Sequence, residues 1–281
     1  MRMTMTRYLC RLVVVVVALT MVAVPAEAVK KKKKVEVSAD RMFEPDPVPT
    51  GSKARPDMPM TSVTKPRKFG GVSGSSGAGH LHGIDVSHYQ GAINWSEVAK
   101  DKEAGFVYVK ATEGKEYVDD RYQVNFTEAR RQGLKTGSYH FFRPAVDAET
   151  QYKNFMGVIN VQQQDLLPLV DVETISGAKS IAAFHRNLLL FCRLVTHAFN
   201  GKKPMIYTGK NFYNKYFAGY EDFKQYKFMI ASYVGDEPEL DYGDDYLIWQ
   251  YTGKGSMRGI KGNVDRSRFR GGHGLGEILA K

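Results

Sequence analysis

The sequence predicts an α/β fold: a barrel closed by eight strands, of which the first five are each followed by a helix and the last three are not. Two observations carry this expectation. Short apolar runs rich in Val, Ile, Tyr and Phe alternate with helical patterns through residues 80–281, and such alternation implies a parallel sheet with crossovers. The rival, an open doubly wound sheet, would carry a dinucleotide glycine fingerprint after its first strand, and none stands there. The expected architecture is a TIM-barrel-like (β/α)5(β)3 domain over 80–273, followed by a C-terminal tail over 274–281.

The elements follow in order. The first strand is expected at 83–88, and Asn94 then caps a helix running to Ala104 with Gly105 as its stop. The second strand, 106–111, precedes a helix from Asp119 to Gln132 that ends at Gly133. The third strand, 136–142, leads to a helix from Ala148 to Asn160, and the fourth covers 167–173. Next comes the clearest helix, 180–199, where Ile181, Phe184, Leu188, Phe191, Val195 and Phe199 keep the spacing of one buried face. The fifth strand, 204–208, leads to a helix over 210–217. Strands at 228–234, 246–251 and 262–269 complete the domain and are joined by loops.

Ahead of the domain, Arg2, Arg7 and Arg11 precede an apolar stretch from Leu12 to Val24 that only Thr20 interrupts. Pro25-Ala26-Glu27-Ala28 follows, so 1–28 reads as a secretory signal peptide, with cleavage near Ala28 and export to the periplasm or the exterior. The stretch is shorter than the roughly 20 residues of a membrane-spanning helix, although an uncleaved anchor is the alternative. Cys10 lies before the apolar run, against a lipoprotein. Residues 29–79 show no sustained period, hold six prolines and end in a Gly/Ser-rich run, the composition of a disordered linker.

The formal charge of +10 does not indicate nucleic acid as a partner. Residues 80–281 hold 26 basic against 24 acidic residues, whereas 29–79 hold eleven basic and five acidic. The excess lies mostly outside the domain and is densest from Lys30 to Lys34, a run suited to electrostatic contact with an anionic wall or membrane surface. After signal cleavage only Cys192 remains. No intrachain disulfide is then possible, and its place in a helical apolar pattern suits a buried, inert thiol.

Four carboxylates fall at strand ends. In Leu169-Val170-Asp171-Val172-Glu173, residues two apart share a face, so Asp171 and Glu173 point into the barrel mouth while the valines pack on helices. Their backbones lie about 6.5–7 Å apart. Each charge then raises the other's proton affinity, and a protonated carboxyl beside an ionised one is what glycoside hydrolysis needs. Asp85, facing inward with Ser87, and Asp265, in the last strand, converge on the same axis if the barrel closes. Aromatic and polar residues at neighbouring strand ends suit the apolar faces and hydroxyls of sugars: Tyr139, His140 and Phe142, then Tyr207, Tyr233, Trp249 and Gln250, with Phe141 and Tyr251 in the same runs. Trp249 and Tyr139 are the preferred contacts. Lys110 and Glu113 close the second strand as an ion pair or as part of the cleft's rim. His80, His82 and His88 cluster at the domain entrance without a third ligand at a fitting distance, so no metal is expected. There is no Gly-x-Ser-x-Gly for a serine nucleophile.

Six runs in order resemble glycoside hydrolase family 25, the Chalaropsis-type lysozymes. They are Gly83-Ile84-Asp85-Val86-Ser87, the stretch from Val107 to Gly114, Gly137-Ser138-Tyr139-His140-Phe141-Phe142, Val170-Asp171-Val172-Glu173, Trp249-Gln250-Tyr251 and Val264-Asp265. The resemblance spans roughly His82 to Phe269 and implies a five-helix, eight-strand barrel. It also implies cleavage of the β-1,4 bond from N-acetylmuramic acid to N-acetylglucosamine in peptidoglycan, without metal or cofactor. By that resemblance Glu173 is the general acid and Asp171 its partner carboxylate, orienting or stabilising an attacking 2-acetamido group. Asp85 and Asp265 are the further active-site acids. The spacer over 29–79 is not part of the family pattern. A chitinase-like barrel is the enzymatic rival, but its longer acidic pattern would need acids where Leu166 and Leu169 stand. A peptidoglycan-binding module without catalysis is the rival of another class, and retention of all four acids weighs against it.

Overall fold

The computed structural model of the protein describes residues 82–101, 104–233 and 235–281. The signal peptide, the spacer, the Lys30 to Lys34 run and His80 lie outside the described residues. Eight strands close a barrel. β1 (His82–Val86) pairs in parallel with β2 (Ala104–Glu113), which a two-residue strand, β3 (Tyr117–Val118), extends as a hairpin. β4 (Lys135–Phe141), β5 (Leu169–Asp171), β6 (Met205–Gly209), β7 (Phe228–Ala231) and β8 (Ile248–Gly255) continue the parallel ladder. β9 (Val264–Phe269) closes it antiparallel to both β8 and β1.

The direction of β9 corrects the all-parallel expectation. The link over 256–263 is shorter than the dozen or more residues a parallel crossover needs, so the chain turns back on itself. The start of β9 therefore lies at the same end of the barrel as the finish of the other strands, and Asp265 stands directly opposite Asp85.

Strand alternation divides the core in two. Inward-facing Phe106, Tyr108, Leu169, Met205, Met229, Ile248 and Phe269 fill the barrel. Outward-facing Ile84, Val86, Val107, Val109, Val170, Val172, Ile206 and Ile230 pack against the helices. The interior rings need bare backbone beside them. A Cβ on Gly137 would lie 2.7 Å from Tyr108 Cε1, and one on Gly83 would overlap the Phe106 ring.

The helices bury that outer layer. α1 (Trp95–Val98) starts where expected, with the Asn94 side chain accepting from the Glu97 N–H, but it is a single turn because the chain enters β2 at Ala104. Gly105 is thus a strand residue, not a helix stop. α2 (Tyr122–Arg131) ends before Gly133, whose φ of +83° favours glycine. α3 (Ala148–Val158) is capped by Asp147 and α4 (Ile181–Ala198) by Ser180. α4 buries Phe184, Leu188, Phe191, Cys192 and Val195, whereas Ile181 in its first turn is exposed. α5 (Lys210–Tyr216) follows β6 directly.

Residues 274–281 are more than a tail. The Leu167 N–H donates to the Ile278 carbonyl at 2.7 Å, the Ala280 N–H to that of Asp165 at 3.0 Å, and Leu279 bridges to Leu166. Ile278 is fully buried in the interior cluster, so this segment seals the base of the barrel.

Candidate active site

β5 positions the central pair. Its hydrogen-bond register continues one residue past the strand: the Phe142 N–H donates to the Asp171 carbonyl at 2.8 Å and the Val172 N–H to that of Tyr207 at 2.9 Å. The Thr208 hydroxyl donates to the Val172 carbonyl at 2.7 Å. With Val172 fixed outward, Asp171 and Glu173 both face the mouth, Asp171 buried at 8% exposure and Glu173 open at the lip.

Asp85 on β1 and Asp265 on β9 complete a pocket of about 180 Å³ that also receives Lys110, Tyr139, Tyr207 and Gln250. Asp85 Oδ2 accepts from Gln250 Nε2 at 3.0 Å and from Ser267 Oγ at 3.4 Å. Gln250 Oε1 in turn accepts from the hydroxyls of Tyr207, at 2.9 Å, and Tyr233, at 2.5 Å. These contacts fix which way the Gln250 amide points. The second oxygens of Asp85 and Asp171 are buried with no partner, and such orphans in a cleft are free to hold a proton or a ligand.

Crowded acids in a desolvated mouth hold their protons. Burial and the nearby Asp265 push Asp85 up to about 7. Burial and Glu173 push Asp265 up to about 6. Asp171 lies well above the carboxylate range because it is buried and faces Glu173. Burial also raises Glu173, and the two titrate as a pair. Lys110 opposes the shifts of Asp171 and Glu173. Its ammonium donates to Glu113 Oε2 at 2.7 Å, while Arg143 Nε donates to the other Glu113 oxygen at 2.9 Å. Against the effect of burial, these two cations hold Glu113 below its usual value. Glu113 therefore anchors Lys110, and Lys110 faces the acids.

Several expected contacts fall elsewhere. His140 and Phe142 are fully buried in the helix layer, not in the cleft. His140 stacks on Phe191 and bonds Thr112 and Gln151, and burial lowers it to about 4. Trp249 is 6% exposed, donates its indole N–H to the Ser232 carbonyl and lies under Arg268. The reason is the period of two: Tyr139 and Phe141 face inward, so His140 and Phe142 face out, and Gln250 faces inward at the expense of Trp249. Tyr233, 56% exposed, stands on the rim. His82 meets the Tyr251 hydroxyl and His88 bonds Asp119 at 2.8 Å, and no group of His, Cys, Asp and Glu suited to a metal occurs among the described residues. Two pocket neighbours were not anticipated. Ser267 sits two residues after Asp265 on the same inward face, a signal that alternation in β9 carries. Tyr89, 82% exposed in the 3-10 turn His88–Gln90, lies outside any strand, so alternation carries no signal for it.

The family model for glycosyl hydrolases family 25 matches residues 84–260, which include Asp85, Asp171 and Glu173 but not Asp265. Escherichia coli YegX is 36% identical over 195 residues, 68% of this chain and 70% of that protein. The chain belongs to glycosyl hydrolase family 25. Lysozyme M1 of Streptomyces globisporus, 31% identical over 201 residues, is matched over 68% of both chains. In structure, this family 25 glycosyl hydrolase is similar to the bacterial lysozyme of Streptomyces coelicolor, with a TM-score of 0.63 at 30% identity, covering 69% of this chain and 94% of that one. Residues 1–83 and 261–281 lie outside the family match.

Proposed function

We propose that this family 25 enzyme is an exported lysozyme that hydrolyses the β-1,4 bond between N-acetylmuramic acid and N-acetylglucosamine in peptidoglycan. The observation that carries the reading is the Asp171–Glu173 pair, one carboxyl buried and one open to solvent, both raised from their ordinary values by burial. Glu173, at the lip, reaches the glycosidic oxygen and donates its proton to the leaving sugar. Asp171, deeper, accepts the N–H of the substrate's 2-acetamido group, so that the acetamido oxygen attacks the anomeric carbon and forms a cyclic intermediate. Glu173, now ionised, takes a proton from the water that opens it. Asp85, held by Gln250 and Ser267, shapes the floor with Asp265 and keeps the negative field that retains one proton on the Asp171–Glu173 pair. Tyr139 and Tyr207 supply ring and hydroxyl contacts to the sugar in the pocket.

The leader fits that role. A signal peptide over 1–28 delivers the enzyme to the side of the membrane where wall polymer lies, and the 29–79 spacer separates domain from leader. The Lys30 to Lys34 run adds electrostatic attraction to the anionic wall or membrane surface. The test is to incubate the wild-type chain and Glu173→Gln with purified peptidoglycan and to identify the new reducing-end sugar. Reducing-end muramic acid from the wild type, and a loss of about 10³-fold in the variant, is expected. Equal activity of the two would remove Glu173 from the acid's role. Tight co-sedimentation with the wall and no release by either would make the chain a binding module.

A further inference from the structure

Glu173 and Tyr207 line two cavities at once. One is the inner pocket that holds the acids. The other is a groove of about 750 Å³ beside β6, β7 and the start of α5, where Lys210, Asn211, Phe212 and Tyr233 form the walls. An acid that protonates a glycosidic oxygen must stand at the bond being cut, so a glycan threading this cleft passes from one cavity to the other beside Glu173. Asp171 lines the inner pocket and not the groove. On the function proposed above, the inner pocket then takes the sugar whose acetamido group reacts. The groove takes the leaving chain, and its larger volume has room for more than one ring.

Charge separates the two cavities. The inner pocket gathers Asp85, Asp171, Glu173 and Asp265, and its one lysine, Lys110, is already bound to Glu113. The groove has Glu173 at its inner edge and Lys210 as its one cation, and Lys210 makes no ion pair among the described residues. Phe212 and the exposed Tyr233 ring offer apolar faces on either side. The inner pocket holds the muramoyl sugar on the cut side, and the first leaving ring, N-acetylglucosamine, bears no carboxylate. A carboxylate on the muramoyl residue beyond it is attracted by Lys210. We infer that the groove is the leaving-chain subsite and that Lys210 selects glycan bearing a carboxylate there. The carboxylate is that of a muramoyl lactyl ether or of the stem peptide attached to it.

Three substrates separate these sources: peptide-free glycan strands with free lactyl carboxylates, the same strands methyl-esterified, and strands that keep their stem peptides. KM and kcat are measured for the full-length chain and for Lys210→Gln and Lys210→Arg. The wild type is expected to show a KM about three- to tenfold lower for a carboxylate-bearing strand than for the ester, a difference that shrinks as salt rises. Lys210→Gln should erase that difference and Lys210→Arg should keep it, with the effect in KM rather than kcat. Loss on the peptide-free strands assigns the lactyl group, and loss confined to peptide-bearing strands assigns the stem peptide. A Lys210→Gln variant whose KM changes equally on all three substrates overturns the inference while leaving the muramidase reading intact. A wild type that cleaves none of them overturns both.

Discussion

At the base of the barrel, Arg270 reaches Glu237, Glu239 and Asp245, and His273 bridges Asp245 to Glu277. At the mouth, Asp85, Asp171, Glu173 and Asp265 share a single buried lysine, and two of their oxygens have no partner at all. The consequences for ionisation run in opposite directions. Despite partial burial, Asp245 is held below its usual value by His273 and Arg270, while His273 is raised by its two carboxylate partners. The mouth acids are all raised. Acids with cationic partners contribute to the fold, and acids facing one another in a cleft are poised for proton transfer at a cost to stability.

That contrast can be broken at either end. The largest effect after loss of the Glu173 proton is expected from Asp171→Asn, which should lower turnover about 10²-fold or more and yet raise the melting temperature. The amide resembles the protonated carboxyl that burial already favours. A variant with both lower activity and a lower melting temperature would make Asp171 a structural residue. The next effect is on pH dependence. Asp85 is raised to about 7 and Asp265 to about 6 in the folded state, from 3.8 unfolded, so their protonated forms stabilise the fold at low pH. That stability is lost as pH rises through the folded values, on the order of a few kcal/mol between about pH 4 and 8. Thermal melts across that range should show the decline, and Asp85→Asn should flatten it. An unchanged slope in the variant would show that Asp85 is ionised throughout. The smallest effect belongs to the base. Asp245→Asn removes a largely exposed partner of Arg270 and His273, and chemical denaturation should show a loss of about 0.5–1 kcal/mol with unaltered turnover.

The sequence carried the parts of the site that follow from the period of two. Leu169, Asp171 and Glu173 alternate with valines, so their common face was legible without a structure, as was that of Asp85 between Ile84 and Val86. The same rule, applied to β4 and β8, would have separated Tyr139 and Phe141 from His140 and Phe142, and Gln250 from Trp249. Composition alone made all of them look like sugar contacts. Other features depend on tertiary fit. The single turn of α1 is set by where β2 must begin, and the reversal of β9 by a link too short to cross the barrel. Tyr89 joins the pocket from a single 3-10 turn, His88–Gln90, whose Ser87–Gln90 capping box was legible in the sequence although the direction of the exposed ring was not. The packing of residues 274–281 under the barrel was hidden for a related reason: a short apolar segment reads as a tail until there is an opening for Ile278 to fill.

The pairing of β9 with β1 places the seam of the barrel between segments made early and late in synthesis. Asp85 comes first and Asp265 nearly last, and neither has its counterpart until both have emerged. A nascent chain therefore has the β5 carboxylates but no closed mouth around them, and no seal beneath. Contacts of such long sequence separation form late and slowly. A glycoside hydrolase built this way stays inert while it is being synthesised. It becomes competent only when its far ends meet.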